Sequence, residues 1–273
     1  MDGISRFCFG ASYAVALALE LLHLAAPRSV HRLVGTLFGA AGLLAHSLFL
    51  AVQRPPLVSS YGSLLLLAWV LAVFYLYGAL HHRRVAWAVF VLPLVLGLVA
   101  LAGRFAPDAG EAPPPLSDLA AGLSGERFWG TVHGGLLLLA AVGVCVGFLA
   151  SVMYLVQARR LRAKVAPGHG VKLLSLERLE EMNRRAVNLA FPLLTAGVGV
   201  GAVLMAQRDA PAQTWTALKV VATFGLWLAF VVLLWLRYSL HARGRHLALG
   251  TIAAFAVLLV TLAASHQFTG GPP

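Results

Sequence analysis

The sequence predicts an all-α, polytopic membrane protein, a bundle of about eight transmembrane helices with both termini outside. Three observations carry that reading. First, 60% of the residues are hydrophobic and only 11% charged, with a mean hydropathy of +0.83. A soluble domain carries about 25% charged residues, so this chain lacks the polar shell that would keep so much apolar surface in water. Second, apolar runs of spanning length recur along the whole chain. Third, the basic residues are distributed one-sidedly between those runs. A net charge of +11 would suggest a nucleic-acid partner in a soluble protein. Here the positive residues sit in short loops, where they set topology, and nucleic acid is excluded on that ground.

Taken in order, the runs lie near 7–26, 33–53, 62–80, 85–103, 132–157, 186–207, 215–238 and 246–268, forming a single transmembrane domain over 1–273. The start, MDGISRFCFG, is weak as a secretory leader and reads as a retained first span. PRSVHR is short enough to close spans one and two into a tight hairpin. RPPLVSSY and HHRR bound the third span, and the segments 104–131 and 158–185 bound the fifth. RDAPAQ and HARGR separate the last three. Pro93 and Pro192 are the notable interruptions.

Placing alternate loops on one side collects fifteen of the 21 lysines and arginines there. That asymmetry puts the basic loops in the cytoplasm and predicts a multi-pass protein of the bacterial cytoplasmic (inner) membrane, with the lipid bilayer as its first partner. The outer segment carries Asp108, Glu111, Asp118 and Glu126, then Leu116, Leu119 and Leu123 at the spacing of a short surface helix. In the large inner loop, SLERLEEMNRR suits an amphipathic interfacial helix, with Ser175 as its cap and the Arg178–Glu181 charges on its polar face. Glycine pairs four apart, Gly35/Gly39, Gly143/Gly147 and Gly197/Gly201, predict close helix packing within the bundle.

Ionisable groups inside a membrane are costly and therefore informative. Glu20 lies within the first span and is read as reaching the inner surface to pair with Arg28 or a neighbouring arginine. The alternative is a functional acid. Cys8 and Cys145 have no partner at a metal or haem-attachment spacing. Histidine carries more. His46, in the second span, His133, opening the fifth after Phe128 and Trp129, and His266, closing the eighth, fall at similar outer depths. His241 lies at the inner end of span seven. A neutral imidazole is a good axial donor to haem iron, an apolar slot between helices suits the ring, and Trp129, Phe128 and Trp215 can cover its edge. The competing reading is that each histidine only hydrogen-bonds a neighbouring helix.

The ordered set LLAHSLFLA, FWGTVHGGLLLLAAVGVCVGFLASVMYLVQARRLR, LLSLERLEEMNRRAVNLAFPLLTAGVGVG and LRYSLHARGRHLALGTIAAFAVLLV resembles the membrane cytochrome c assembly proteins of the CcsA/CcmC group, closest to their smaller HemX/YpjD-type relatives. The resemblance spans roughly 40–268. It implies a helical bundle that binds haem b non-covalently at its outer face through paired histidines. His133 then resembles the first outer ligand, His266 falls where a second would be, and His241 resembles a histidine tied to an inner haem position. His46 matches a recurrent histidine that supports or ligates. Other cytochrome-maturation or haem-synthesis proteins are the implied partners. The full synthases of the group carry a tryptophan-rich loop between spans six and seven. Here the corresponding AQRDAPAQTW holds only Trp215, so haem binding, rather than haem attachment, is what the resemblance implies.

Two other classes compete. A haem-independent scaffold or regulatory subunit would dock a partner through the basic 158–185 loop. A permease would show interrupted spans and polar groups at the midplane; apart from Pro93 and Pro192 the spans are uninterrupted, and no charged residue lies mid-span. No nucleophile–base pair, phosphate loop or intramembrane carboxylate pair indicates an enzyme.

Overall fold

The computed structural model describes residues 6–26, 28–56, 59–81, 86–106, 125–164, 173–207, 217–240 and 244–263. Among these residues the chain forms eight helices and no strand: α1 (Arg6–Ala25), α2 (Ser29–Gln53), α3 (Ser60–His81), α4 (Trp87–Gly103), α5 (Gly125–Arg162), α6 (Leu176–Gln207), α7 (Leu218–Tyr238) and α8 (Arg245–Ala263). Seven are long and apolar enough to cross a bilayer. The eighth, α4, has 17 residues, and a span needs about 17–25. The polytopic all-α reading therefore stands. Large apolar side chains such as Leu33, Leu44 and Leu189 remain exposed, which lipid tolerates and water does not.

The helices fall into two compact units, the first four in one and the last four in the other. In the first unit α1 and α2 form the expected tight hairpin. The His23 ring lies against the Arg28 carbonyl at 3.0 Å, and the His31 ring against that of Ala26 at 3.1 Å. The buried stripe of α1 is Phe9, Tyr13, Ala16 and Glu20. That of α2 is Gly35, Gly39, Gly42, His46 and Phe49. Both follow the alternating three- and four-residue steps of one helix face. Glycines on α2 seat bulky neighbours: a Cβ on Gly42 would lie 2.9 Å from the Tyr13 ring, and one on Gly39 2.6 Å from the Tyr75 hydroxyl. Trp69 of α3 donates its indole N–H to the Ser47 hydroxyl at 2.8 Å.

Glu20 meets its expectation in part. It does not reach the surface: its residue is 8% exposed, lying on the packed face of α1 near Gly35. His23 and a neighbouring arginine, Arg32 rather than Arg28, are the charged groups that act on it. The reason is positional. Glu20 continues the Phe9–Tyr13–Ala16 stripe, so the helix turns it inward.

In the second unit, α5 packs against α6 and α8, and α7 against α6 and α8. α5 has 38 residues and α6 has 32. At 1.5 Å per residue these are roughly 57 and 48 Å long, well beyond a hydrocarbon core of about 30 Å. The expected separate interfacial helix on SLERLEEMNRR is instead the first part of α6. Leu179, Asn183, Ala186, Val187 and Ala190 continue one buried face through it, and neither glycine nor proline interrupts the stretch. Ser175 caps as its sequence suggests, its hydroxyl accepting the Arg178 N–H at 3.4 Å. α6 runs on through Pro192 and α4 through Pro93. The expected surface helix around Leu116, Leu119 and Leu123 lies outside the described residues.

Candidate functional site

The site is built on the antiparallel pair α5–α6. Along their contact one small or polar residue meets its opposite in constant register. A Cβ on Gly201 would lie 2.6 Å from the His133 ring, one on Gly197 2.7 Å from Leu137, and one on Gly143 2.8 Å from Ala190. Further on, the Asn183 amide donates to the Ser151 hydroxyl at 2.9 Å, to the Thr251 hydroxyl at 3.1 Å and to the Gly147 carbonyl at 3.2 Å. Its carbonyl accepts from the Arg237 guanidinium at 2.7 Å. The glycine pairs thus do the close packing that their spacing suggests. The pair Gly197/Gly201 does more, because one of its two guests is a histidine.

His133 is half-buried and donates its Nδ1–H to the Gly197 carbonyl at 2.8 Å. A carbonyl can only accept, so the proton must sit on Nδ1 and the lone pair of the neutral ring on Nε2. An imidazole held by a backbone carbonyl on one nitrogen and presenting the other is the arrangement that metal-ligating histidines show, with orientation and tautomer fixed by the second hydrogen bond. Trp129 precedes His133 by one turn and shares its helix face. Its residue is 53% exposed, and it meets Phe128 edge to face at 5.5 Å. In the apolar run 132–157, His133 stands at the boundary with the polar segment before it. The chemistry of this donor set fits one axial position on a haem iron with an aromatic edge beside it.

His46 occupies a different setting in the first unit. It is fully buried, stacked on Phe9 with ring centroids 4.2 Å apart and planes within 2°. Its Nδ1 lies 3.4 Å from the Tyr13 hydroxyl, and its Nε2 has no hydrogen-bond partner among the described residues. His266 and His241 lie outside the described residues, as does Trp215. Among the described residues no group of three His, Cys, Asp or Glu side chains is placed to hold a metal ion.

Two contributors escape a reading of the sequence by residue chemistry: the Gly197 carbonyl and the missing side chain of Gly201. A signal for them exists. His133 and Leu137 are four apart on one helix, as are Gly201 and Gly197 on the other, so two knobs meet two holes at matching spacing.

With this geometry in view, the comparisons with known proteins acquire a structural meaning. The sequence matches the family described as Cytochrome C assembly protein over residues 57–267. The chain belongs to this family. The matched stretch includes all of α5 to α8 and begins before α3. The chain is 26% identical, over an alignment of 287 positions, to the cytochrome c biogenesis protein CcsA of Synechococcus sp. strain JA-2-3B'a(2-13), covering 81% of this chain and 80% of that one. It is 24% identical, over an alignment of 285 positions, to the protein of the same name from Parasynechococcus marenigrum strain WH8102, covering 95% of this chain and 92% of the relative. No solved structure matches the chain. Cytochrome c assembly family membership and the α5–α6 geometry rest on separate observations, and His133 falls within the stretch that both involve.

Proposed function

We propose that this protein handles haem in cytochrome c assembly, holding haem b non-covalently with His133 as an axial ligand. The observation that carries the reading is the Nδ1–H bond from His133 to the Gly197 carbonyl at 2.8 Å, which leaves Nε2 as a fixed donor. Gly201 makes room for the ring, and Trp129 offers an exposed aromatic surface on the same helix face. His266, from the end of the last span, is the proposed second ligand, and His241 the residue of an inner position. When bound, haem supplies an iron centre able to accept two imidazoles; the chain's part is to orient, seat and release it. The short 208–216 connection, with Trp215 as its single tryptophan, favours the smaller HemX/YpjD-type relatives and a binding role over haem attachment. The basic loops favour a bacterial cytoplasmic membrane with the His133 end outside.

The test is direct. The chain is purified in detergent and titrated with haemin, and its reduced and oxidised spectra are recorded. The reading predicts a low-spin Soret band and resolved α-bands that disappear in His133→Ala. Absence of those bands, or their persistence unchanged in His133→Ala, overturns it.

A further inference from the structure

The opposite end of the second unit carries a second site, independent of the haem reading. A cavity of about 380 Å³ opens between the end of α5, the start of α6 and the start of α8. Arg159 and Arg162 come from α5 and Arg245 from α8. Tyr154 and Glu180 complete its polar lining, while Leu155 and Leu249 form an apolar wall. Among the described residues none of these three arginines pairs with a carboxylate. Glu180 is the acid among the lining residues, and its Oε1 accepts the N–H of Gly244, also in the lining, at 2.6 Å. Gly244 itself has φ +68° and lies where a Cβ would meet the Tyr154 hydroxyl at 2.5 Å. Gly244, the residue before α8, is thereby fixed against α5 and α6, which sets where Arg245 begins the helix.

We infer that this cavity binds the phosphate oxygens of an anionic phospholipid headgroup. Three arginines from two helices line the hollow, and guanidiniums are planar donor forks that match phosphate oxygens bidentately. The volume falls within the range of small-ligand pockets, about 300–1,000 Å³, and is more than a bare ion requires. The apolar wall of Leu155 and Leu249 continues towards the spanning parts of α5 and α8, as a site for a headgroup with attached acyl chains needs. Basic pockets between helices on the positively charged side of a membrane protein are suited to such lipids. A lipid seated there bridges α5, α6 and α8 and braces the entry to the last span. Soluble phosphate shares the recognition chemistry, so the experiment must separate the two.

The full chain, purified and delipidated in detergent, is titrated with cardiolipin, phosphatidylglycerol, phosphatidylcholine or inorganic phosphate, and binding is read by native mass spectrometry and thermal shift. Cardiolipin and phosphatidylglycerol should bind and stabilise, and phosphatidylcholine should not. Arg159→Gln and Arg245→Gln should each weaken cardiolipin binding about fivefold and the double variant about thirtyfold. Arg178→Gln, an exposed arginine outside the cavity, should change it less than twofold. Each variant is compared with its own lipid-free melting temperature, which separates lost binding from lost folding. Equal losses in Arg178→Gln and Arg159→Gln would mean diffuse attraction to the charged surface and overturn the site. Stabilisation by inorganic phosphate alone to the level of cardiolipin would overturn the lipid assignment, as would equal binding of phosphatidylcholine.

Discussion

In the first unit His46 lies sealed between Phe9 and Tyr13, fully buried, with one ring nitrogen unpartnered among the described residues. In the second unit His133 is half-buried on a glycine seat, with one nitrogen tied to a carbonyl. Both are imidazoles on apolar helices, yet their neighbours give them different capacities. Aromatic packing in the first unit closes around its histidine. Backbone packing in the second orients its histidine while leaving room beside it. A histidine in a membrane span is therefore not a ligand by virtue of depth. What decides is whether a fixed acceptor holds one nitrogen and space remains for the other.

His133→Ala should abolish the low-spin haem spectrum, whereas His46→Phe should preserve it; the reverse outcome would exchange the roles of the two rings. Next in size is the seat. Gly201→Ala puts a methyl group 2.6 Å from the ring carbon, forcing the imidazole off the Gly197 carbonyl. Loss of such an orienting bond typically costs 10–100-fold in metal affinity, so haem titration should show a drop of about that order with the spectrum's shape retained at saturation. A stability test follows. Asn183→Leu removes the acceptor of Arg237 and the donor to Ser151 and Thr251. It should lower stability by about 1.5–3 kcal/mol, since hydrogen bonds to charged groups are worth about that much. Denaturation in mixed detergent micelles measures it. His46→Phe should lower stability by about 1–2 kcal/mol, because it keeps the stack on Phe9 but leaves the buried Tyr13 hydroxyl without the Nδ1 that lies 3.4 Å from it. The smallest effect belongs to Glu181→Gln. This exposed carboxylate bridges Arg184 and Arg185 at 2.7 and 2.6 Å, and surface pairs of this kind contribute little; the melting temperature should not move measurably.

Much of this architecture is readable before any coordinates. Apolar run lengths mark the spans, Ser175 marks a cap, and the glycine pairs mark close packing. Glu20 was readable too, though by periodicity rather than chemistry. It completes the stripe Phe9–Tyr13–Ala16, while a charged group near a span end suggests an outward reach. The continuity of α6 through Glu180–Arg185 was hidden because charge density resembles an interfacial segment, whereas Leu179 and Asn183 keep the buried face in phase. The Gly197 carbonyl as partner of His133 and Phe9 as the lid on His46 were hidden for a different reason. Each is a contact between chain segments far apart in sequence, and pairwise register between helices leaves only a faint trace in either helix alone. His266 and His241 keep their proposed roles from resemblance.

The matched steps along α5 and α6 constrain how this part of the molecule can move. Sliding one helix past the other by a single turn would carry His133 off Gly201 and draw Asn183 away from Ser151 together. Translation along the pair would therefore cost contacts at both of its ends at once. Relative movement of α5 and α6 should then be a tilt rather than a ratchet.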